Sequence, residues 1–551
     1  MYSLKSIKLY FFSIIKLFFL VFRNLYFKTN FYNKKLITAI PDRIFYSPSP
    51  HLSGSLISFN NDFYKVTSVS PNLLWKTDVK NKLEFENLHS FLWLTRLSRK
   101  NNKDLTKKII RSWIYTFNNY ETNTWKMEII AKRIIAWSSN TDLTLENSDK
   151  SYKDKFFLSI IKQSNFILRN FNNLLYEPDK IVCCAAIILS GIVFGESYLN
   201  YKIGIKELEK IIKNYFNLEG FPKSRNPEEI YICLKYLILI REWLKEAQKP
   251  IPDFLNTIIS KSGNCYMILS SSNKQFPLFN GATEINHKEY DMFLKNLKYK
   301  FTITSNEVAN FFKVKEKKFE FFIDCGNPPP DSFSKYYQAG CLAFELISNK
   351  QKIICNSGYG KYLSPKLASL SRSTAAHSTL YINDTSSCTF QKNKFINKVY
   401  GNSLIKKHKI IKKKYIEDKE FYSIQASHNG YEKKFGYIHE RNIKILKDKN
   451  KVIGEDILEK TKSYLNPLYY TVRFHIYHNV KIAKTKSGNS ILISLSNGEG
   501  WLLRSETNDL NVEKSVFLGN KNKVISNECI FISGDILKDI ISIKWELEKV
   551  S

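Results

Sequence analysis

The feature that most constrains this chain is a change of periodicity near its middle. Up to about residue 262, apolar residues recur at three- and four-residue spacing in the stretches 85–97, 106–117, 127–137, 155–175, 181–194, 203–216, 228–246 and 254–260. That is the spacing of helices with one buried face. Short breaks such as Glu177-Pro-Asp and Glu219-Gly-Phe-Pro222 separate them, so successive helices pack antiparallel. After Gln275-Phe-Pro-Leu-Phe-Asn-Gly281 the texture becomes strand-like, with runs at 318–324, 342–348, 352–355, 378–382, 421–426, 437–446, 469–474, 490–495 and 540–545. Turn signals such as Ser487-Gly-Asn and Ser496-Asn-Gly stand between them. The expected architecture is α+β and multidomain: a basic apolar N-terminal segment over 1–50, a helical domain over 51–274 and an antiparallel β-sandwich over 275–551.

Composition narrows the partners. The formal net charge is +33, a field that attracts nucleic acid, anionic lipid or acidic polysaccharide. Lysine far outnumbers arginine, and Ile and Asn are abundant, so an A/T-rich coding sequence accounts for part of the excess. No helix-turn-helix, zinc-finger or RNA-binding aromatic signature accompanies the charge, and nucleic acid is set aside. The nine cysteines are scattered, without a Cys-x-x-Cys pair. They read as small buried hydrophobes and favour a reducing compartment. The N-terminal run Tyr10-Phe-Phe-Ser-Ile-Ile-Lys-Leu-Phe-Phe-Leu-Val-Phe22 is interrupted by Lys16 and closed by Arg23, with no small-x-small cleavage site after it. It reads as a basic amphipathic helix resting on the chain's own domain or on a membrane surface, a peripheral membrane contact; a signal anchor is the alternative.

Chemistry concentrates around Arg372-Ser-Thr-Ala-Ala-His-Ser-Thr-Leu-Tyr-Ile-Asn-Asp384. Small residues deliver one histidine, His377, just before a short β-forming run stopped by Asn383-Asp384. This segment resembles the Thr-Ala-His-Asn/Ser-Thr stretch of the heparinase II/III-like polysaccharide lyases. Asp324-Cys-Gly-Asn-Pro-Pro-Pro330 and Gln338-Ala-Gly-Cys-Leu-Ala-Phe-Glu-Leu346 resemble another pair of family motifs. Ser427-His-Asn-Gly-Tyr431, Arg473-Phe-His475, Asn497-Gly-Glu-Gly-Trp501 and Ser224-Arg-Asn-Pro227 follow the family's order. The resemblance implies an incomplete (α/α) toroid before the sandwich and β-elimination on a uronate-containing polysaccharide. It also implies a bacterial protein of the cell envelope or periplasm; a cytoplasmic location stays open because of the cysteines.

A lyase of this kind neutralises the sugar carboxylate, removes the adjacent carbon-bound proton and protonates the leaving oxygen. Arg225 and Asn226 are the residue types for the carboxylate, although Asn before Pro is also ordinary helix-capping chemistry. His377 and Tyr231 are the candidates for proton transfer. Gln338, Glu345 and Arg372 are candidate substrate-binding residues, with Glu345 either facing solvent or orienting His377. Two departures stand out. Gln338 occupies a position where many family members carry histidine. Glu219-Gly-Phe-Pro222 stands where bacterial relatives tend to have Asp-Gly-Gly-His.

No cofactor is expected. His428 and His439, with Glu440 and Asp456, offer donors for a metal, and some family members hold a structural zinc in the sandwich, but no tight spacing pins one here. His475 and His478 read as ordinary strand-end residues. Three readings therefore stand, the first a lyase acting on an acidic polysaccharide and the second a catalytically weakened or inactive glycan-binding or envelope-assembly protein of the same fold. A basic peripheral membrane protein is the third.

Overall fold

The structure is a computed structural model and describes residues 4–56, 70–75, 82–196, 198–199, 201–401, 403–506 and 509–550. Two compact units divide the chain. Met1–Phe216, Tyr231–Gly263 and Lys288–Lys300 form a helical unit; Asn217–Ile230, Asn264–His287 and Phe301–Ser551 form a β unit. Where the sequence places one cut between 274 and 275, the units interleave. No helix crosses 275–281.

The helical unit is built around Met127–Ser138, whose apolar residues are buried on nearly every side. It packs against Lys82–Ser90, Lys150–Asn170 and Glu177–Phe194, and the last of these packs in turn on Tyr201–Tyr215. Glu177–Phe194 starts with proline in its first turn and ends at Gly195, whose φ of 95° stops the helix. Such paired helices form the (α/α) toroid class of array. At its centre Arg133 is fully buried, donating to Gln163 Oε1 at 2.7 Å and to the His89 carbonyl at 2.9 Å, with its guanidinium 4.0 Å from the Trp113 ring.

The N-terminal helix Leu4–Phe27 forms as expected, and of its two expected resting places its own unit does not cover its apolar residues: Ile7, Phe11, Phe12, Phe18, Phe19 and Phe22 all stand exposed. Its end is tied down by Phe27 against Tyr32, Tyr120 and Phe166 and by Tyr120 Oη donating to Asn24 at 3.0 Å. Among the described residues it is the one helix long and apolar enough to cross a membrane.

The β unit is an antiparallel sandwich. One sheet runs Glu307–Val308, Phe311–Lys315, Phe319–Asp324, Phe344–Ser348, Gln351–Cys355, Tyr469–Ile476, Ile525–Asp535, Asn511–Phe517, with Leu380–Ile382 also pairing with Tyr469–Ile476. The other runs Lys481–Lys484, Ser490–Ser494, Gly500–Ser505, Ile540–Lys549, Lys451–Lys460, Tyr437–Leu446, Phe421–His428, Ile410–Glu417. In the second sheet, Tyr437–Leu446 and Lys451–Lys460 alternate buried and part-exposed positions, as strands with one covered face do. Phe344, Phe474 and Trp545 lock the two sheets together, with the Phe344 and Trp545 rings stacked at 5.3 Å. Gly454 makes room for that tryptophan: a Cβ there would lie 2.1 Å from the indole.

The first sheet is covered on its other face as well. Phe319–Asp324 and Phe344–Ser348 are buried at every position. The covering chain is 264–287, held by charged side chains that bond its backbone. Lys313 Nζ donates to the Ser270 carbonyl at 2.7 Å, Glu320 accepts from Ser272 N at 2.6 Å, and Glu345 accepts from Leu278 N at 3.0 Å. Three neighbouring strands thus each carry a buried charge that bonds the covering backbone, and Glu345 is further offset by Lys352 Nζ at 3.5 Å.

Candidate active site

Every residue in this site belongs to the β unit. Ser364 caps the short helix Pro365–Leu370, and the chain then makes a tight turn, Thr374–Ala376, before the strand Leu380–Ile382. His377 stands between turn and strand, as its sequence context predicts. Its ring is 1% exposed. Nδ1 lies 2.8 Å from the Ser373 carbonyl, so this nitrogen carries the proton and donates. Nε2 then holds a lone pair, and among the described residues it has no hydrogen-bond partner. Burial holds the imidazole at a pKa of about 4, so the ring is neutral near pH 7. Gly340 leaves the space beside it: a Cβ there would stand 2.5 Å from Cδ2 and 3.1 Å from Nε2.

His475, expected to be an ordinary strand-end residue, supports this turn. It is buried, its Nε2 lies 2.9 Å from the Ala375 carbonyl, and its backbone N donates to Ser378 Oγ at 3.0 Å.

Asn226 reconciles its two sequence readings. Its Oδ1 accepts from Glu228 N at 2.9 Å and so caps the start of the helix Pro227–Glu246. Its Nδ2 is buried, with no hydrogen-bond partner among the described residues. The cap uses one end of the amide and leaves the donor end available. Two glycines link it to His377. A Cβ on Gly281, whose φ is 99°, would meet Asn226 Nδ2 at 3.2 Å and the Tyr336 carbonyl at 2.8 Å. The Gly281 N–H donates to Gln338 Oε1 at 2.8 Å, two residues before the Gly340 that backs His377.

The remaining candidates are engaged elsewhere. Arg225 already binds a carboxylate, that of Asp324, at 2.7 Å and 3.2 Å, and lies over Phe311 at 4.4 Å. Asn280 and the Gly326 N–H complete the Asp324 shell at 2.8 Å and 3.0 Å. Gln338 uses both ends of its amide, donating to the Gly358 carbonyl at 3.1 Å and to the Ser371 carbonyl. Glu345 faces neither solvent nor His377. It is fully buried, 3.5 Å from Lys352 Nζ, and bonds Leu278 N and Asn356 N. Its influence on His377 runs through Asn356, whose Oδ1 accepts from Ser378 N at 3.0 Å. Arg372 is buried over Phe390 at 4.0 Å and donates to the Tyr337 and Ser334 carbonyls. Tyr231 belongs to the helical unit, where its ring meets Tyr290 edge-on at 5.1 Å and Lys235 Nζ at 5.3 Å.

Sequence reasoning missed a second group. Glu228 is buried and accepts from Thr283 N at 2.8 Å, Thr283 Oγ1 at 2.7 Å and Lys521 Nζ at 3.2 Å. Burial pushes its carboxyl up, but Lys521 and Lys361 outweigh that and hold it at about 2. Lys361 lies over Tyr336 at 5.3 Å and Tyr362 at 4.9 Å, and Lys521 over Tyr362 at 5.5 Å. The signal was the Gly358-Tyr-Gly-Lys-Tyr362 run, where aromatics alternate with small and basic residues.

The His428 and His439 set fits a hydrogen-bond relay better than a metal. The two rings meet at 3.2 Å, His439 Nε2 lies 2.7 Å from Asp456, and Asp456 also receives Arg441 Nε at 2.8 Å and Trp545 Nε1 at 3.0 Å. Among the described residues no group of three or more His, Cys, Asp or Glu is arranged to hold a metal ion. None of the nine cysteines is in a disulfide, and all are buried.

Residues 303–546 match the family model "Heparinase II/III-like, C-terminal". The crystal structure of heparinase III is similar over 92% of this chain and 86% of that one, with a TM-score of 0.68 at 14% identity. A heparan sulfate lyase of Pedobacter heparinus covers 94% of this chain and 87% of its own, with a TM-score of 0.61 at 12% identity. At such identities the likeness shows the fold. FtsZ-localized protein C of Caulobacter vibrioides is 22% identical over 484 residues, 84% of this chain and 81% of that protein.

Proposed function

We propose that this chain, whose residues 303–546 match the heparinase II/III-like C-terminal family model, cleaves an acidic, uronate-containing polysaccharide by β-elimination. The observation that carries the proposal is that one unit holds two complementary unpartnered atoms: a buried imidazole acceptor, His377 Nε2, and a buried amide donor, Asn226 Nδ2. A buried polar atom without a partner is costly, and such sites are where a ligand completes the bonding.

In the proposed reaction, Asn226 Nδ2 donates to the uronate carboxylate, which makes the adjacent C5 proton more acidic. His377 Nε2 takes that proton. The C5–H electron pair forms the C4=C5 double bond, the C4–O bond breaks, and the imidazolium returns its proton to the leaving oxygen. Lys361 and Lys521 supply positive field beside Asn226, through the Glu228 they share. A ring with a pKa near 4 is a weak base. The bound carboxylate raises it, because negative charge nearby favours the imidazolium.

A second reading has its own support. Arg225 and Gln338 are both committed to internal contacts, and a relative covering most of the chain is named for its localisation with FtsZ. Under that reading the fold is kept for binding or envelope assembly, with the exposed apolar helix Leu4–Phe27 as a membrane contact. Incubating the full chain with a panel of uronate-containing polysaccharides and following the ultraviolet absorbance of unsaturated uronate ends separates the two. New absorbance supports elimination; none on any polymer favours the binding protein.

A further inference from the structure

We propose that a basic cavity on the β unit, separate from the His377 ring, is a second binding site that takes an anionic sugar unit bearing sulfate or carboxylate. The cavity has a volume of about 740 Å³, and its lining includes Arg372, Phe390, Lys392, Lys406 and Lys434. Four cations face one carboxylate there, that of Asp384. Asp384 already accepts from Tyr469 Oη at 2.6 Å. Among the described residues neither Lys392 nor Lys406 is paired with a carboxylate, so the local field is unbalanced.

The rest of the lining favours a sugar over a bare ion. Arg372 is buried with its guanidinium carbon 4.0 Å from the Phe390 ring centroid, and the guanidinium is bonded to backbone carbonyls at 2.7 Å and 3.0 Å. It is a fixed cation in the lining, and Phe390 offers a face for a sugar ring. Hydroxyl and amide groups fill the remaining wall, as a polyhydroxylated ligand requires. Buried Asn397 Oδ1, also on the wall, has no hydrogen-bond partner among the described residues and is placed to accept from a sugar hydroxyl. Lys434 Nζ donates to Thr385 Oγ1 at 2.8 Å and is steadied there.

The cavity borders the His377 turn at Ser373. Ser373 lines it, and the Ser373 carbonyl receives the His377 Nδ1 proton; His377 itself is not part of the wall. An occupant therefore engages a different part of a polymer from the part at Nε2.

The test uses the full chain and isothermal titration with three probes: a sulfated heparin-derived disaccharide, inorganic sulfate and an uncharged disaccharide. Titrations with His377→Ala keep the outcome independent of turnover, so failure of the elimination reading leaves this test intact. The disaccharide is expected to bind wild type and His377→Ala alike, and at least ten-fold more weakly to Lys392→Glu/Lys406→Glu. Both lysines are exposed, so the double variant should melt as wild type does, and a melting scan checks this. Affinity unchanged in the double variant would overturn the site. Sulfate binding as tightly as the disaccharide would overturn the assignment to a sugar, as would equal binding of the uncharged probe. No binding of any probe to wild type would overturn the proposal outright.

Discussion

The guanidinium of Arg225 lies 2.7 Å from the Asp324 carboxylate, and both side chains are buried within the β unit. The arginine that the sequence offers to a substrate is thus neutralised by the chain's own aspartate. Its backbone is left-handed, at φ 62°, and Gly326 leaves room for the guanidinium, since a Cβ there would stand 2.1 Å from Nη2.

Asp324→Asn should therefore act on folding. It leaves a buried cation uncompensated, which costs about 3–5 kcal/mol. Chemical denaturation should show a lower midpoint with an unchanged slope. A midpoint equal to wild type would mean that Arg225 finds another partner.

Gly340→Ala should block the site without unfolding it. The added methyl would stand 3.1 Å from His377 Nε2 and 2.5 Å from Cδ2, so the ring or the loop must shift. The expected result is at least a ten-fold fall in elimination rate with a melting temperature close to wild type. Full activity in this variant would remove Nε2 from the reaction.

The pH dependence follows from buried neutral imidazoles. Burial lowers His377 and His408 to about 4 and His89 and His475 to about 3, against 6.5 for an ordinary histidine. Folded pKa values lie below unfolded ones, so the unfolded chain binds more protons on the acid side. Stability is then fully present above pH 6.5 and is lost as pH falls toward 4, by roughly 3 kcal/mol for each such imidazole. Melting temperatures between pH 8 and 4 check this. The acid limb of kcat/KM, which reports the free enzyme, should lie at lower pH than that of kcat, because bound uronate raises His377.

Gln338→His introduces the residue that the family resemblance implies at this position, yet it should destabilise this chain. Gln338 accepts from Gly281 and donates to two carbonyls, and an imidazole cannot satisfy all three. One or two kcal/mol should be lost in denaturation. A gain in elimination rate would show instead that the pocket accommodates the ring and that the chain is a weakened lyase.

How much was legible can be judged residue by residue. The switch from three-four spacing to alternation was readable because both patterns report a buried face, and Tyr437–Leu446 follows the expected strand to the residue. Ile410–Glu417 was not readable because none of its positions is fully buried, and Lys451–Lys460 because its buried face carries Gly454 and Asp456 while Ile453 and Ile457 stand on the other side. His377 was found because small residues on one side and a β-forming run on the other single it out. Glu345 was misjudged for a physical reason. A charged residue in a strand suggests an open face, but here the covering 264–287 segment presents the Leu278 N–H to the carboxylate, which also accepts from the Asn356 N–H. That contact joins residues far apart in sequence, which no local pattern records. The Lys361, Lys521 and Glu228 cluster was hidden in the same way, spread over three distant stretches.

The most direct measurement is the yield of unsaturated uronate ends per folded molecule, compared among wild type, His377→Ala and Asn226→Ala on the best polymer of a uronate panel. The account predicts a fall of about 100-fold or more for His377→Ala, in line with the loss of an acid–base group. For Asn226→Ala it predicts a reduced rate with an unchanged pH profile, because the amide does not titrate. Equal yields from wild type and His377→Ala would contradict it, and His377 would then be a buried structural histidine.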